Sequence, residues 1–458
     1  MNVFLKLNPA LQRNLIIFFG ASLCFWGGLA GMLPNLALYI GSFGASNQEI
    51  GWVMAAFAAG LLCFRPRMSR LTDKKGRKPA LLIGVAVIAI APILYLAVQL
   101  APQTTFSLPS LTLQLPIFNR EISLLGWQLK SAVLLLVLVR AFHGISVAAF
   151  ATAYTAAVAD MAPPQHRGEL ISTMSLAGPL GMAMGPALGG YLAGNFTLAF
   201  LAMTAVGTAG TVCILFSQEP PRPTVEPAVS NKNLAVQLTP NQLEQAPKKS
   251  PLFWRLLFTP PIRVPALMLF MVGIAFGAMV TFVPLYVQAR AWDFNIGLIY
   301  TVSAITSFSI RTFSGTASDR HGRGRFISLG ITLYGLSMLV LALSTGPTTL
   351  LLAGALQGAG SGTTIPIISA LMTDRAQPHE RGLTFGLCLT GFDLGIALAG
   401  PLMGRIVDVT GSYALVFGFA GMMTFLGLII FITTSSKDIP HSVRFALNDG
   451  RDVYAVKP

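Results

Sequence analysis

The sequence predicts an all-α membrane protein, with twelve transmembrane helices in two pseudo-symmetric six-helix bundles. Three observations predict it. Hydrophobic residues make up 53% of the 458-residue chain and charged residues only 10%, against the roughly 25% charged of an ordinary soluble domain. Mean hydropathy is +0.67, and several apolar runs exceed the roughly 20 residues that a helix needs to cross a bilayer. The third observation is an internal repeat, in which charged and glycine positions of the first half recur at the same offsets in the second.

Taken in chain order, the first apolar run, 14–40, is too long for a cleaved signal segment and lacks a clear cleavage pattern, so it reads as span one. Span two, 48–70, opens on Ser46-x-x-Glu49, the spacing of a capping box. Spans three to six are placed at 79–100, 131–159, 168–193 and 196–217, which completes a first bundle over residues 1–216. Ser217 to Lys249 is polar and rich in Pro, Asn and Gln. Such a composition cannot bury a core, so 217–260 is expected to be a cytoplasmic linker. Spans seven to twelve follow at 262–289, 295–317, 326–345, 348–373, 382–407 and 412–435, giving a second bundle over 261–436 and a cytoplasmic tail over 437–458.

The net charge is +14, which in a soluble protein would raise the question of nucleic acid. Here topology accounts for it. Of the 31 Lys and Arg, only Arg120, Lys130, Arg290 and Arg405 fall on one side of the predicted spans, and Arg140 lies inside a span. All the others fall in the tails, the linker and the even-numbered hairpins, and that bias places those segments in the cytoplasm of a multi-pass protein of the cell (inner) membrane. Cys24, Cys63, Cys213 and Cys388 all sit in apolar segments and imply no disulfide framework.

The repeat is specific. Arg65 precedes Asp73 by the same offset as Arg311 precedes Asp319, and the two aspartates lead to Gly76-Arg77 and Gly322-Arg323. Asp160 leads to Arg167-Gly168 as Asp374 leads to Arg381-Gly382; His143-Gly144 matches Gln357-Gly358; Gly185-Pro186-x-x-Gly189 matches Gly400-Pro401-x-x-Gly404. The stretch from Asp73 to Asp160 exceeds its counterpart by 32 residues, an insertion that falls in about 101–130. Alternating Leu111, Leu113 and Leu115, then Ile122 and Leu124, flank a turn-like Pro116 to Arg120, so an external β-hairpin or folded loop is expected there.

At these residues the chain resembles the major facilitator superfamily. Ser69-Arg70-Leu71-Thr72-Asp73-Lys74-Lys75-Gly76-Arg77-Lys78 is similar to that family's loop between spans two and three, with Ser69 in place of Gly and Lys74 in place of Arg. The resemblance implies a secondary active transporter working by alternating access, not an enzyme. Neither a phosphate-binding P-loop nor a clustered Cys/His spacing occurs. Two motifs resemble the drug:proton antiporter branch. These are Gly181, Gly185, Pro186, Gly189 and Gly190 in span five, expected to make a bent, tightly packed seal between the halves, and Arg140-x-x-His143-Gly144 in span four, with His in place of Gln. The leading reading is proton-coupled efflux of a small organic or drug-like molecule. A metabolite importer or uniporter of the same fold, and a non-transporting membrane receptor, are the alternatives.

Three groups of residues are candidates for that function. Asp393 is the only acidic residue deep inside a predicted span and is the leading proton carrier, with Arg140 and His143 near mid-bilayer. His143 reads equally as a proton site or as a neutral hydrogen-bonding stand-in for Gln. Asp73, Arg77, Asp160, Asp319, Arg323 and Asp374 form the expected cytoplasmic gate, a latch whose partners, the resemblance implies, are the starts of spans eleven and five. The resemblance also puts spans one, four, seven and ten around a cavity, with Trp26, Asn35, Phe150, Tyr154, Phe276, Phe282, Tyr286 and Gln357 as lining candidates. An aromatic, Met-rich wall with few charges would suit an apolar or cationic substrate. Expected partners are that small molecule, protons and the lipid bilayer, with no nucleic acid, no cofactor, no metal and a monomeric chain.

Overall fold

The computed structural model of the chain describes residues 7–102, 104–107, 112–115, 120–123, 128–163, 167–219, 257–377, 381–447 and 452–456. Its helices are α1 (Pro9–Gly31), α2 (Leu33–Gly41), α3 (Asn47–Lys75), α4 (Arg77–Ala97), α5 (Ser131–Met161), α6 (Arg167–Ser175), α7 (Ala177–Tyr191) and α8 (Phe196–Phe216) in the first half. The second half holds α9 (Pro260–Ala289), α10 (Gly297–His321), α11 (Arg323–Ala342), α12 (Pro347–Asp374), α13 (Arg381–Thr410) and α14 (Tyr413–Thr434), followed by a short α15 (Ile439–Leu447) in the tail. The linker expected over 217–260 lies outside the described residues except at its edges.

Two expected spans are each built from two helices. Span one breaks at Met32, because Pro34 lacks the N–H that would bond Ala30 and the chain restarts with Leu36 N donating to Met32 O at 2.9 Å. Span five breaks at Leu176, because Pro179 lacks the N–H that would bond Ser175 O. The Ser46–Glu49 capping box is formed in both directions, Glu49 N on Ser46 Oγ at 3.2 Å and Ser46 N on Glu49 Oε2 at 2.7 Å. The basic signature segment is not an extended loop. Helix α3 continues through Lys75 and only Gly76 separates it from α4, with φ of 104°; Gly322, φ 92°, does the same between α10 and α11. Only glycine accepts that backbone without strain, which is why both copies carry it.

The insertion forms four short strands, β1 (Thr105–Ser107), β2 (Thr112–Leu115), β3 (Arg120–Ser123) and β4 (Gln128–Lys130). β2 pairs antiparallel with β3 inside an outer antiparallel pair, β1 with β4. This nested arrangement is a folded hairpin leading directly into α5.

Each half repeats one packing pattern. In the first, α1 packs on α7 and α8, α5 on α3 and α4, and α4 on α8; in the second, α9 packs on α13 and α14, α12 on α10 and α11, and α11 on α14. The halves meet along two seams, α3 with α13 and α7 with α10. The hydrophobic core shows how they meet. Toward the end opposite the basic hairpins, one continuous cluster takes Leu36, Ile40 and Val53 from the first half and Val272, Val283 and Tyr300 from the second. Toward the basic end there are two clusters, one around Phe18, Phe150 and Ile214 and the other around Leu269, Ile327 and Phe431. A shared core at one end and separate cores at the other describe two bundles joined at the far end and parted at the basic end.

Nine stretches among the described residues are long and apolar enough to cross a membrane. The two-piece α6–α7 and helices α10 and α12 are outside that group. α10 and α12 are less apolar for a local reason: they carry Ser303, Ser307, Arg311, Gln357 and Ser361, which face the interior between the halves.

Candidate functional site

Between the parted bundles lies a cavity of about 410 Å³. Its wall is mostly apolar, with Trp26 and Leu29 from α1, Phe57 from α3, Met182 from α7, Phe276 from α9 and Phe392 from α13. The charged groups on it are Arg65, Arg140, Arg311 and Asp393. A second cavity of about 270 Å³ adjoins it, sharing Trp26, Pro179, Met182 and Arg311, and adds Phe150 and Tyr154 to the path.

Arg65 and Asp393 form an ion pair, Nη1 to Oδ2 at 2.8 Å, with the aspartate side chain 10% and the arginine 30% exposed. Arg65 lies roughly 27 Å along α3 and Asp393 roughly 18 Å along α13, taking 1.5 Å of rise per residue. The pair therefore joins the two halves on the cavity wall. Asp393 is the one carboxylate among the described residues that line the cavity. Sequence reading singled out Asp393 but counted Arg65 and Arg311 with the basic hairpins. Both lie inside the predicted bounds of spans two and eight, near their basic ends, and the structure places them on the cavity wall. The signal that could have found them was the repeat itself, which pairs Arg65 with Arg311 at one offset.

Arg140 is 5% exposed, with its guanidinium carbon 4.5 Å above the Phe57 ring and Nη1 3.3 Å from His143 Nδ1. A guanidinium only donates. His143 Nδ1 is therefore the acceptor in that contact, with the Tyr95 hydroxyl also near it at 3.4 Å. The His143 ring is fully buried, 0% exposed, against Arg140 and Tyr95. On the matching helix, Gln357 Nε2 donates to Tyr334 Oη at 2.7 Å and its oxygen accepts from Ser303.

Of the other lining candidates, Trp26, Phe276 and Gln357 reach the main cavity, and Phe150 and Tyr154 reach the adjoining one. Asn35, Phe282 and Tyr286 do not. Asn35 lies beyond the Met32 break, where its Nδ2 donates to Gly189 O at 2.7 Å and ties α2 to α7. Phe282 is turned away because, at about 100° per residue, it falls off the helical face that carries Phe276, Met279 and Val280, whereas Tyr286 keeps nearly the face of Met279 but lies about two turns further along, past the cavity in the shared core. Phe282 is wholly buried in the shared core, and Tyr286 packs on Trp292 and Phe417.

The gate candidates pair within their halves. Arg77 Nε bonds Asp160 Oδ2 at 2.8 Å, and Arg323 Nε bonds Asp374 Oδ2 at 2.5 Å, so the repeat recurs in three dimensions. Asp73 and Asp319 are 74% and 60% exposed, each near the Arg four residues on, at 3.8 and 3.2 Å. A latch from either aspartate to the other half is not seen among the described contacts, consistent with a parted basic end; the side chains of Arg167 and Arg381 at the starts of the expected partner helices lie outside the described residues.

The span-five glycines also divide their work. A Cβ on Gly181 would lie 2.7 Å from Leu23 O, and one on Gly185 2.9 Å from Gly31 N, so they seal α7 against α1 inside the first half. Gly190 is the one that faces the other half, where an added Cβ would lie 2.6 Å from the backbone of Gly297. The expected inter-half seal is thus carried by Gly190 and the Pro186 carbonyl, with the others serving the bundle.

The chain matches the family model of the Major Facilitator Superfamily over residues 17–315 and 293–449. It is 23% identical over 399 residues to the staphylopine export protein of Staphylococcus aureus (strain Mu50 / ATCC 700699), covering 85% of this chain and 86% of the relative. It is 25% identical over 446 residues to multidrug resistance protein MdtG of Proteus mirabilis (strain HI4320), covering 94% and 97%. The inward open conformation of the xylose transporter XylE from E. coli superposes with a TM-score of 0.67 at 14% identity, covering 93% of this chain and 97% of that one.

Proposed function

The chain belongs to the Major Facilitator Superfamily, and from that premise we propose that it exports a small organic molecule in exchange for protons. The observation that carries this reading is the Arg65–Asp393 pair, a buried carboxylate that links the two halves on the wall of their shared cavity. The relatives named for staphylopine export and multidrug resistance support the outward direction.

In this reading the basic end is cytoplasmic, both termini lie in the cytoplasm of the inner membrane, and the structure is the inward-open state. The bundles 1–216 and 261–436 rock as two bodies joined by the 217–260 linker, and a monomer suffices because both bodies belong to one chain. Substrate enters the cavity from the cytoplasmic side. After the halves rock, a proton from outside neutralises Asp393, and the attraction to Arg65 is lost. On return, Arg65 meets the carboxyl again, the proton leaves to the cytoplasm, and the ion pair re-forms. Substrate outward and proton inward are thereby tied to one inter-half contact.

Proteoliposomes with an imposed pH gradient test it. Wild-type protein should move dansylglycine against its concentration gradient when the proton gradient is present, and Asp393→Asn should abolish that movement while still exchanging dansylglycine for dansylglycine at equal pH. Gradient-driven movement in Asp393→Asn would remove Asp393 as the carrier.

A further inference from the structure

We propose that the cavity selects an anionic substrate, an aromatic molecule bearing a carboxylate that Arg311 holds; this rests on the export reading above and names its substrate class. The cavity wall carries three arginines against one carboxylate. Arg65 is paired with Asp393. Arg140 rests on the Phe57 ring and on His143, and its Nε has no partner. Arg311 shows no ion pair among the described residues, and its buried Nε also has no partner. An unpaired guanidinium at this depth is costly, and such cations in membrane proteins mark the place where a counter-charge arrives.

The repeat shows what is missing. Arg65 and Arg311 occupy equivalent places, but their surroundings differ. Asp393 stands seven residues before Gly400; seven residues before the equivalent Gly185 stands Gly178. A Cβ on Gly178 would lie 3.4 Å from the Trp26 indole nitrogen, so a glycine beside an aromatic ring takes the place that a carboxylate fills in the other seam. Arg311 lines both cavities together with Trp26, so an indole and the free cation border the same space. A flat ring against Trp26 with a carboxylate on Arg311 satisfies both. The proposal departs from the apolar or cationic substrate expected from the wall's composition, because a cation would enter a cavity already in excess of positive charge.

The experiment uses dansylglycine and its methyl ester, in which one added methyl group removes the charge, on full-length protein in phosphatidylcholine nanodiscs, so that no anionic lipid competes. Binding is read by energy transfer from tryptophan. Wild-type protein should bind the acid at least about tenfold tighter than the ester, the size of one charge-assisted hydrogen bond. Arg311→Gln and Gly178→Asp should each remove that preference and leave the ester's affinity unchanged, whereas Arg311→Lys should keep it. An ester that binds wild type as tightly as the acid overturns the proposal, and so does an equal loss of both ligands in Arg311→Gln. Because binding is read without transport, loss of the anion preference leaves the export reading standing, and failure of gradient-driven transport leaves the binding result intact.

Discussion

The two seams that join the halves are built alike at one end and differently at the other. At the far end both close backbone on backbone. A Cβ on Gly51 of α3 would fall on the Gly400–Pro401 peptide of α13, and a Cβ on Gly297 of α10 would lie 2.9 Å from the Gly190 backbone of α7. Nearer the basic end, the α3–α13 seam is bridged by Arg65 and Asp393, while on the α7–α10 side Arg311 and Gly178 line one cavity. Both seams therefore share one closure, but among the described residues only α3–α13 carries a charged clasp. On the proposed reading, that seam serves the proton and the other the substrate.

The largest effect is expected at the shared feature. Gly51→Val and Gly297→Val each push side-chain atoms into the opposite backbone, an overpacking of about 1–3 kcal/mol. Each should cut transport by at least about tenfold and lengthen spin-label distances across the far end. If one variant keeps wild-type rate and distance while the other does not, the seams are not equivalent closures and the comparison fails at its base.

A second layer of contacts sharpens the difference. Asp408 of α13 accepts from Asn47 N at 3.0 Å and Gln48 N at 2.9 Å, which caps α3 from the other half, and Asn47 Oδ1 accepts from Tyr413. Among the described residues, the hydrogen bond seen across the other seam is Thr301 Oγ1 on Ala183 O, at 3.1 Å. A carboxylate at a helix N-terminus stabilises by up to about 1 kcal/mol when exposed. Asp408→Asn should therefore shift the inward-open population about fivefold toward the outward-open state. Thr301→Val should shift it by about twofold, as for one neutral hydrogen bond at the low end of its range. Distance distributions between labels on the two halves would measure both, and a larger shift in Thr301→Val would invert the ranking.

How much of this was legible beforehand varies along the chain. The spans, the capping box at Ser46 and the two-bundle repeat follow from apolar run length and from offsets, both local or periodic properties that a sequence displays directly. The breaks at Met32 and Leu176 were hidden because an apolar run reads the same whether one helix or two carries it. Arg65 was miscounted for a related reason: it begins a dense basic stretch, and nothing local distinguishes it from Arg67 or Arg70. Its role depends on Asp393, far away in sequence and brought near only by the packing of α3 on α13. Asn35, Phe282 and Tyr286 were misplaced because being in a cavity-lining helix fixes neither which face a side chain occupies nor how far along the cavity it lies.

The smallest effect in this state is expected at the most recognisable motif. Asp73 is 74% exposed and sits 3.8 Å from Arg77, whose guanidinium is already engaged by Asp160 at 2.8 Å. An exposed pair of that geometry contributes at most a few tenths of a kcal/mol. Asp73→Asn should thus leave thermal stability and dansylglycine binding from the basic side within about twofold of wild type. Asp160→Asn should be worse, since it strands the part-buried Arg77. If the basic ends close in the other state and bring Asp73 to the start of α13, the same Asp73→Asn substitution removes a contact present only there. Transport should then fall while binding to the inward-open state does not. Unchanged transport in a normally inserted Asp73→Asn protein would show that the latch has no part in the cycle, and that the far-end seams alone set the balance between the two states.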